Sequence, residues 1–232
     1  MDARTLSRIA GLSGLLFVIG GTLVEALFPA PVEPGGTAGA IMAAGRSPDA
    51  WRVVTLLSTT TGLGTMFLVL FAGALGRYLD RENGLLAQLA LLGAFGAFLL
   101  SIIRRGLIIA YVQVAAGTDP SGAVAFYVAS TDSLVRIYAF PIALFVWALA
   151  ALVLVSRALP RWIGWTGVAI GVLAIAGFLV GGFDSTVDAG FLVYLLMLVW
   201  ILATSVVLLV RARRAAELPA SSESPSIAAN AA

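Results

Sequence analysis

The stretch Leu85-Leu-Ala-Gln-Leu-Ala-Leu-Leu-Gly-Ala-Phe-Gly-Ala-Phe-Leu-Leu-Ser-Ile-Ile-Arg-Arg-Gly-Leu-Ile-Ile-Ala-Tyr-Val-Gln-Val114 decides the class of this protein. Its only charged side chains are Arg104 and Arg105. A helix of this length rises roughly 45 Å, more than the ~30 Å hydrocarbon core of a bilayer. It therefore reads as a membrane span that tilts or projects beyond the bilayer.

Outward from this stretch, five further apolar runs fill the chain. They cover about 9–28, 53–75, 137–155, 162–182 and 191–210. Of the 232 residues, 60% are hydrophobic and 11% charged, and the mean hydropathy is +1.03. A soluble domain carries about 25% charge. The expected fold is an all-α integral membrane protein, a six-helix transmembrane bundle over residues 1–214. A disordered tail over residues 215–232 follows, rich in Ala, Ser and Glu without apolar periodicity. The bilayer is the partner this composition implies. The first run, preceded by Arg4 and Arg8, has the outline of a signal peptide, but its length favours a span.

The connections carry their own signals. A linker rich in Pro and Gly runs from Pro29 to Pro48, with a short surface helix expected over Thr37–Ala44. The loop Ala115–Val135 holds Thr118-Asp-Pro-Ser-Gly122, a turn signal, then a short helix through Phe126 and Tyr127. Pro141 is expected to bend the fourth span.

All fourteen basic residues are Arg, which fits the codon bias of a GC-rich bacterial genome. Nine lie on one side of the spans: Arg4, Arg8, Arg77, Arg81, Arg157, Arg161, Arg211, Arg213 and Arg214. Five lie on the other: Arg46, Arg52, Arg104, Arg105 and Arg136. The asymmetry places both termini in the cytoplasm of a bacterial inner membrane. Trp162 and Trp165 then belong to the cytoplasmic interface. The net charge of +2 points to no nucleic-acid partner. Cys and His are absent, so disulfides, thiolate nucleophiles, the usual zinc sites and imidazole chemistry are excluded. No cofactor or metal is expected. Nothing in the sequence fixes the oligomeric state.

The ionisable residues that interrupt the spans gather toward one end. They are Glu25, Arg52, Arg104, Arg105, Asp132, Arg136 and Asp184. Glu25 lies roughly 24 Å along the first span and Arg104 roughly 28 Å along the third. Stripes at helical spacing accompany them: Gly14, Val18, Gly21 and Glu25; Arg52, Thr55, Thr59 and Gly62; Ala94, Ala97, Ser101 and Arg105. Arg104 follows Gly93, Ala97 and Leu100. Small residues mark helix contact in membranes, so Glu25 and the span-three arginines should face the bundle. Charges at this level read as a pocket for an anionic or amphipathic molecule or a lipid head group, since guanidinium binds carboxylate and phosphate bidentately. Two alternatives stand beside this. One is an intramembrane enzyme with Glu25 as acid and Asp132 or Asp184 as partner, acting on a lipid or isoprenoid. The other is an accessory or scaffolding subunit whose charges close into pairs, Glu25 with Arg104 or Arg105, and Asp132 or Asp184 with Arg136. The glycines Gly164, Gly167 and Gly171 are expected to pack within the bundle. The hydroxyls of Ser58–Thr61 are expected to bond back to their own helix.

Ser156-Arg-Ala-Leu-Pro-Arg-Trp-Ile-Gly-Trp165 between spans four and five, and Ile103-Arg-Arg-Gly106 in span three, resemble a widespread bacterial and archaeal family of multi-pass membrane proteins. That family is catalogued only as a domain of unknown function. The resemblance covers about Leu6 to Arg211. It implies a fold and no established activity. Here a double Arg stands where one Arg followed by a nearby Glu is the family pattern.

Overall fold

In a computed structural model the protein is almost entirely helical over the described residues, with no strand among them. The structure describes residues 2–27, 37–80, 84–117, 120–183 and 189–217. For 21–27, 132, 135, 180–183, 189–191 and 215–217 it describes the backbone alone. The elements are α1 (Ala3–Leu27), α2 (Ala38–Gly45), α3 (Ala50–Leu79), α4 (Gly84–Ala115) and α5 (Pro120–Val128). A π-helical turn (Ala129–Ser133) follows, then α6 (Leu134–Ile137), α7 (Ala139–Ser156), α8 (Arg161–Phe183) and α9 (Ala189–Glu217). Six of them, α1, α3, α4, α7, α8 and α9, are long and apolar enough to cross a membrane. The chain is a multi-pass membrane protein. Most of the tail expected from residue 215 lies outside the described residues, although its first three residues continue α9.

The six long helices form a ring. Each packs on the next in chain order, α9 returns to α1, and α3 also touches α7 across the middle. Ser7 of α1 donates to the Leu208 carbonyl of α9 at 3.0 Å, which places the first helix's start beside the last helix's end. We call this the terminus end. Lipid tails are as apolar as leucine, so such a ring is held by close packing and interhelical hydrogen bonds. On α3 the buried positions Gly64, Leu68, Phe71, Ala72, Leu75 and Leu79 recur at three- and four-residue spacing. Phe71 meets Phe145 edge-on at 6.3 Å, and Phe145 meets Trp200 at 6.4 Å. Exposed Leu16, Leu63, Leu92, Val155 and Val199 cover the outside.

Glycines bring the backbones together. A methyl on Gly93 would lie 2.5 Å from the Phe145 nitrogen and 2.7 Å from the Pro141 carbonyl oxygen. Gly11 and Gly14 seat α1 against Leu209 and Ser205 of α9. Gly164, Gly167 and Gly171 seat α8 against Leu154, Ala150 and Trp147 of α7, with Trp200 of α9 beside Gly167. This stripe is consumed inside the bundle. The Trp200 indole donates to the Ile163 carbonyl at 2.8 Å, and Trp147 to Val168 at 3.1 Å.

The fourth span breaks at Tyr138, one turn before the expected bend at Pro141. Proline offers no N–H to the Ile137 carbonyl, and its ring crowds that residue. The defect therefore appears N-terminal to the ring, and Pro141 sits in the first turn of α7, where a missing donor is harmless. Its ring faces Gly96, whose added methyl would stand 3.1 Å from the Pro141 Cβ.

Helices α3 and α4 exceed one crossing by about ten residues. The excess lies opposite the terminus end, where it builds a small cap with α2 and α5. Ile41, Met42, Val54, Tyr111, Val112, Ala115, Ala123 and Tyr127 form the cap's own apolar cluster. Thr37 caps α2, its hydroxyl accepting from the Ala40 N–H. The Tyr111 hydroxyl donates to the Ile41 carbonyl at 2.6 Å, and its ring lies 5.2 Å from that of Tyr127. Arg46 donates to the Ala115 and Gly117 carbonyls at 2.8 and 2.9 Å, closing the C-terminus of α4.

Candidate functional site: the arginine layer beneath the cap

The level of each charge follows from helix rise. Leu79, Leu85, Ser156 and Trp162 mark the boundary at the terminus end; Trp162 and Trp165 there are 50% and 64% exposed. About twenty residues of rise span the hydrocarbon core. Counted from those four, the opposite boundary falls at Thr59, Arg105, Arg136 and Gly182. Arg104, Arg105 and Arg136 thus lie at one boundary, with the cap above and the apolar core below.

Arg104 and Arg105 occupy the inner face of α4, which continues the buried positions Ala90, Ala94, Ala97 and Ser101. Both are half-buried. Neighbours on a helix point about 100° apart, so the two guanidinium groups reach different partners. The Arg104 Nε donates to the Ser130 carbonyl at 3.0 Å. That carbonyl belongs to the π-helical turn, where the Leu134 N–H reaches back five residues to Ala129 and the regular ladder is shifted. The Ser130 and Thr131 hydroxyls are turned away and donate to the Tyr127 carbonyl at 2.8 and 2.9 Å. The Arg105 Nη2 donates to the Thr61 hydroxyl at 2.8 Å, crossing from α4 to α3.

Two phenols flank the layer. Tyr138, at the break before α7, shares a side-chain hydrogen bond with buried Ser101 and feels the charge of both arginines. Tyr127, in α5, has its phenol pushed above the usual range by burial, with the Arg104 charge opposing. Arg136 is half-buried in α6, two residues before Tyr138.

One other expected member, Arg52, lies elsewhere. It is exposed on the cap, nine residues and roughly 13 Å beyond Thr61 along α3. Thr55 and Thr59 on its stripe are exposed too. That polar face points outward because the cap packs on the opposite side of α3, through Val54. The side chains of Glu25 and Asp132, and the whole of Asp184, lie outside the described residues. The hydroxyls of Thr55, Thr59, Thr60 and Thr65 bond back to carbonyls of their own helix, and Thr61 instead accepts from Arg105. Sequence reading did not single out Ser130, Tyr138 or Arg46. The carbonyl of Ser130 has no side-chain signature, but Arg46 at the end of a Gly-rich segment is a recognisable helix-capping type.

A groove of about 600 Å³ lies on the cap, lined by Gly45, Arg46, Ser47, Ala50, Trp51, Val112, Gln113 and Ala116. It is set apart from the arginine layer. No protein-family model, no curated protein and no solved structure matches the chain.

Proposed function

We propose that this multi-pass membrane protein binds an anionic or amphipathic molecule at the arginine layer beneath its cap. Arg104 carries the reading. Its guanidinium is half-buried on an inner helix face, and its one hydrogen-bond partner among the described residues is a neutral carbonyl. A cation partly withdrawn from water and met by a neutral oxygen is an attractor for an anion. The Nε bond fixes the plane of the group and leaves the Nη1–Nη2 edge to receive a carboxylate or phosphate. The nine-to-five distribution of arginine supports termini in the cytoplasm, and the cap then stands on the outer face of a bacterial cytoplasmic membrane.

The test is native mass spectrometry of the full chain purified in mild detergent. The wild-type protein should retain an acidic lipid or metabolite that Arg104→Gln loses, while Arg77→Gln at the terminus end retains it. Equal retention by all three proteins, or no bound acidic molecule in any, overturns the reading.

A further inference from the structure

The two apolar cores are separated by a waist. From residue 55 to 63 on α3, and from 102 to 110 on α4, no residue is buried, although both helices are buried on either side. The pair runs antiparallel in a register set by Gly76 against Ala87, Gly73 against Leu91 and the Thr61–Arg105 bond. Gly62 and Gly106 therefore stand beside Thr61 and Arg105 on the outer side of the same seam. Among the described residues, a Cβ at either glycine meets nothing within 4 Å. Exposed Leu63, Leu99, Ile102 and Ile103 surround this gap with apolar surface.

Behind the gap are polar atoms. The Thr61 hydroxyl and the Arg105 guanidinium meet there. One turn toward the cap, the Ser58 hydroxyl oxygen is buried without a hydrogen-bond partner. A serine in a membrane helix ordinarily bonds back to its own carbonyls, as Thr55, Thr59 and Thr60 do. An orphan hydroxyl beside an arginine, at the depth of lipid phosphates, calls for an acceptor with several oxygens.

We propose that this seam is a side window through which the phosphate of a lipid in the cap-side leaflet reaches Arg105, Thr61 and Ser58, its acyl chains lying along Leu63, Leu99 and Ile102. The proposal rests on the anion-binding reading above and adds the source and route of the anion. From the aqueous side the layer is roofed by the cap, where Tyr111, Ala115, Ala123 and Tyr127 pack closely and Arg46 ties α2 to α4. From the bilayer side, among the described residues, nothing lies within 4 Å of a Cβ added at Gly62 or Gly106.

The experiment is native mass spectrometry of the full chain titrated with phosphatidylglycerol, with diacylglycerol of the same chains, and with phosphatidylglycerol in the presence of millimolar inorganic phosphate. Phosphatidylglycerol should bind about tenfold or more above diacylglycerol, the discrimination expected of one charge-assisted hydrogen-bond set. Inorganic phosphate should not compete. Gly106→Trp and, independently, Gly62→Trp should abolish the preference with melting temperature unchanged, while Gly106→Ala keeps it. If inorganic phosphate competes and both Trp variants still bind, the window is overturned and the anion reading survives. If neither lipid nor phosphate binds preferentially to the wild-type protein, both fall. Should either Trp variant misfold, Arg105→Gln and Ser58→Ala replace it; binding unchanged in both overturns the window.

Discussion

Gly93 and Gly106 lie on one helix, and a methyl group has a different cost at each. At Gly93 it would meet the backbone of α7, which cannot move without shifting the helix. Gly93→Ala should destabilise the protein by roughly 1–3 kcal/mol, the usual range for overpacking. Gly106→Ala meets open space on an exposed face and should be neutral or slightly stabilising, since glycine is a poor helix former. Thermal melting in detergent followed by tryptophan fluorescence separates the two; equal shifts would contradict the packing described. Arg157 offers the opposite case. It ends α7 at φ 54°, a left-handed conformation that suits glycine. Arg157→Gly should therefore raise stability by up to about 1 kcal/mol, and a lowered melting temperature would show that its side chain does more than close the helix.

Between residues and the whole, the elements show what a sequence encodes locally. The six apolar runs, the short helix after Thr37 and the one through Phe126 and Tyr127 were legible because each needs only composition, a cap or a turn signal. The inward stripe Ala94, Ala97, Ser101 and Arg105 was legible from spacing alone. The level of Arg52 was not. It depends on where the excess of α3 goes, and that is settled by partners distant in the chain, Tyr111 and Val112 on α4. The break at Tyr138 was displaced from Pro141 for a related reason: the proline's defect is felt at the carbonyl four residues earlier. Restoring the donor tests this. Pro141→Ala should let the 141 N–H bond the Ile137 carbonyl and slow amide exchange across 138–142. Exchange as fast as in the wild-type protein would mean that the π-helical turn, and not the ring, sets the break. The π-helical turn itself has no sequence signal, since Ala129-Ser-Thr-Asp-Ser133 would sit as readily in a loop.

At the scale of the molecule, the ring of six brings the start of α1 and the later turns of α9 to one face. Reporter fusions at Ala232 and in the loop after Leu79 should read as cytoplasmic, and one within α5 as external; opposite readings at Ala232 and the loop would break the antiparallel order. The arginine layer also gives the protein a fixed immersion depth. Arg105 and Arg136 stand about twenty residues of rise from the far boundary, which matches a core of ~30 Å. Because the cap is folded above them, the helices cannot slide to greet a thicker membrane without drawing guanidinium groups into oil. Bilayers of longer acyl chains must thin around the protein or tilt it, at fractions of a kcal/mol per Å. The protein should then sit best in bilayers whose hydrocarbon core is thin enough to keep these three arginines at the surface.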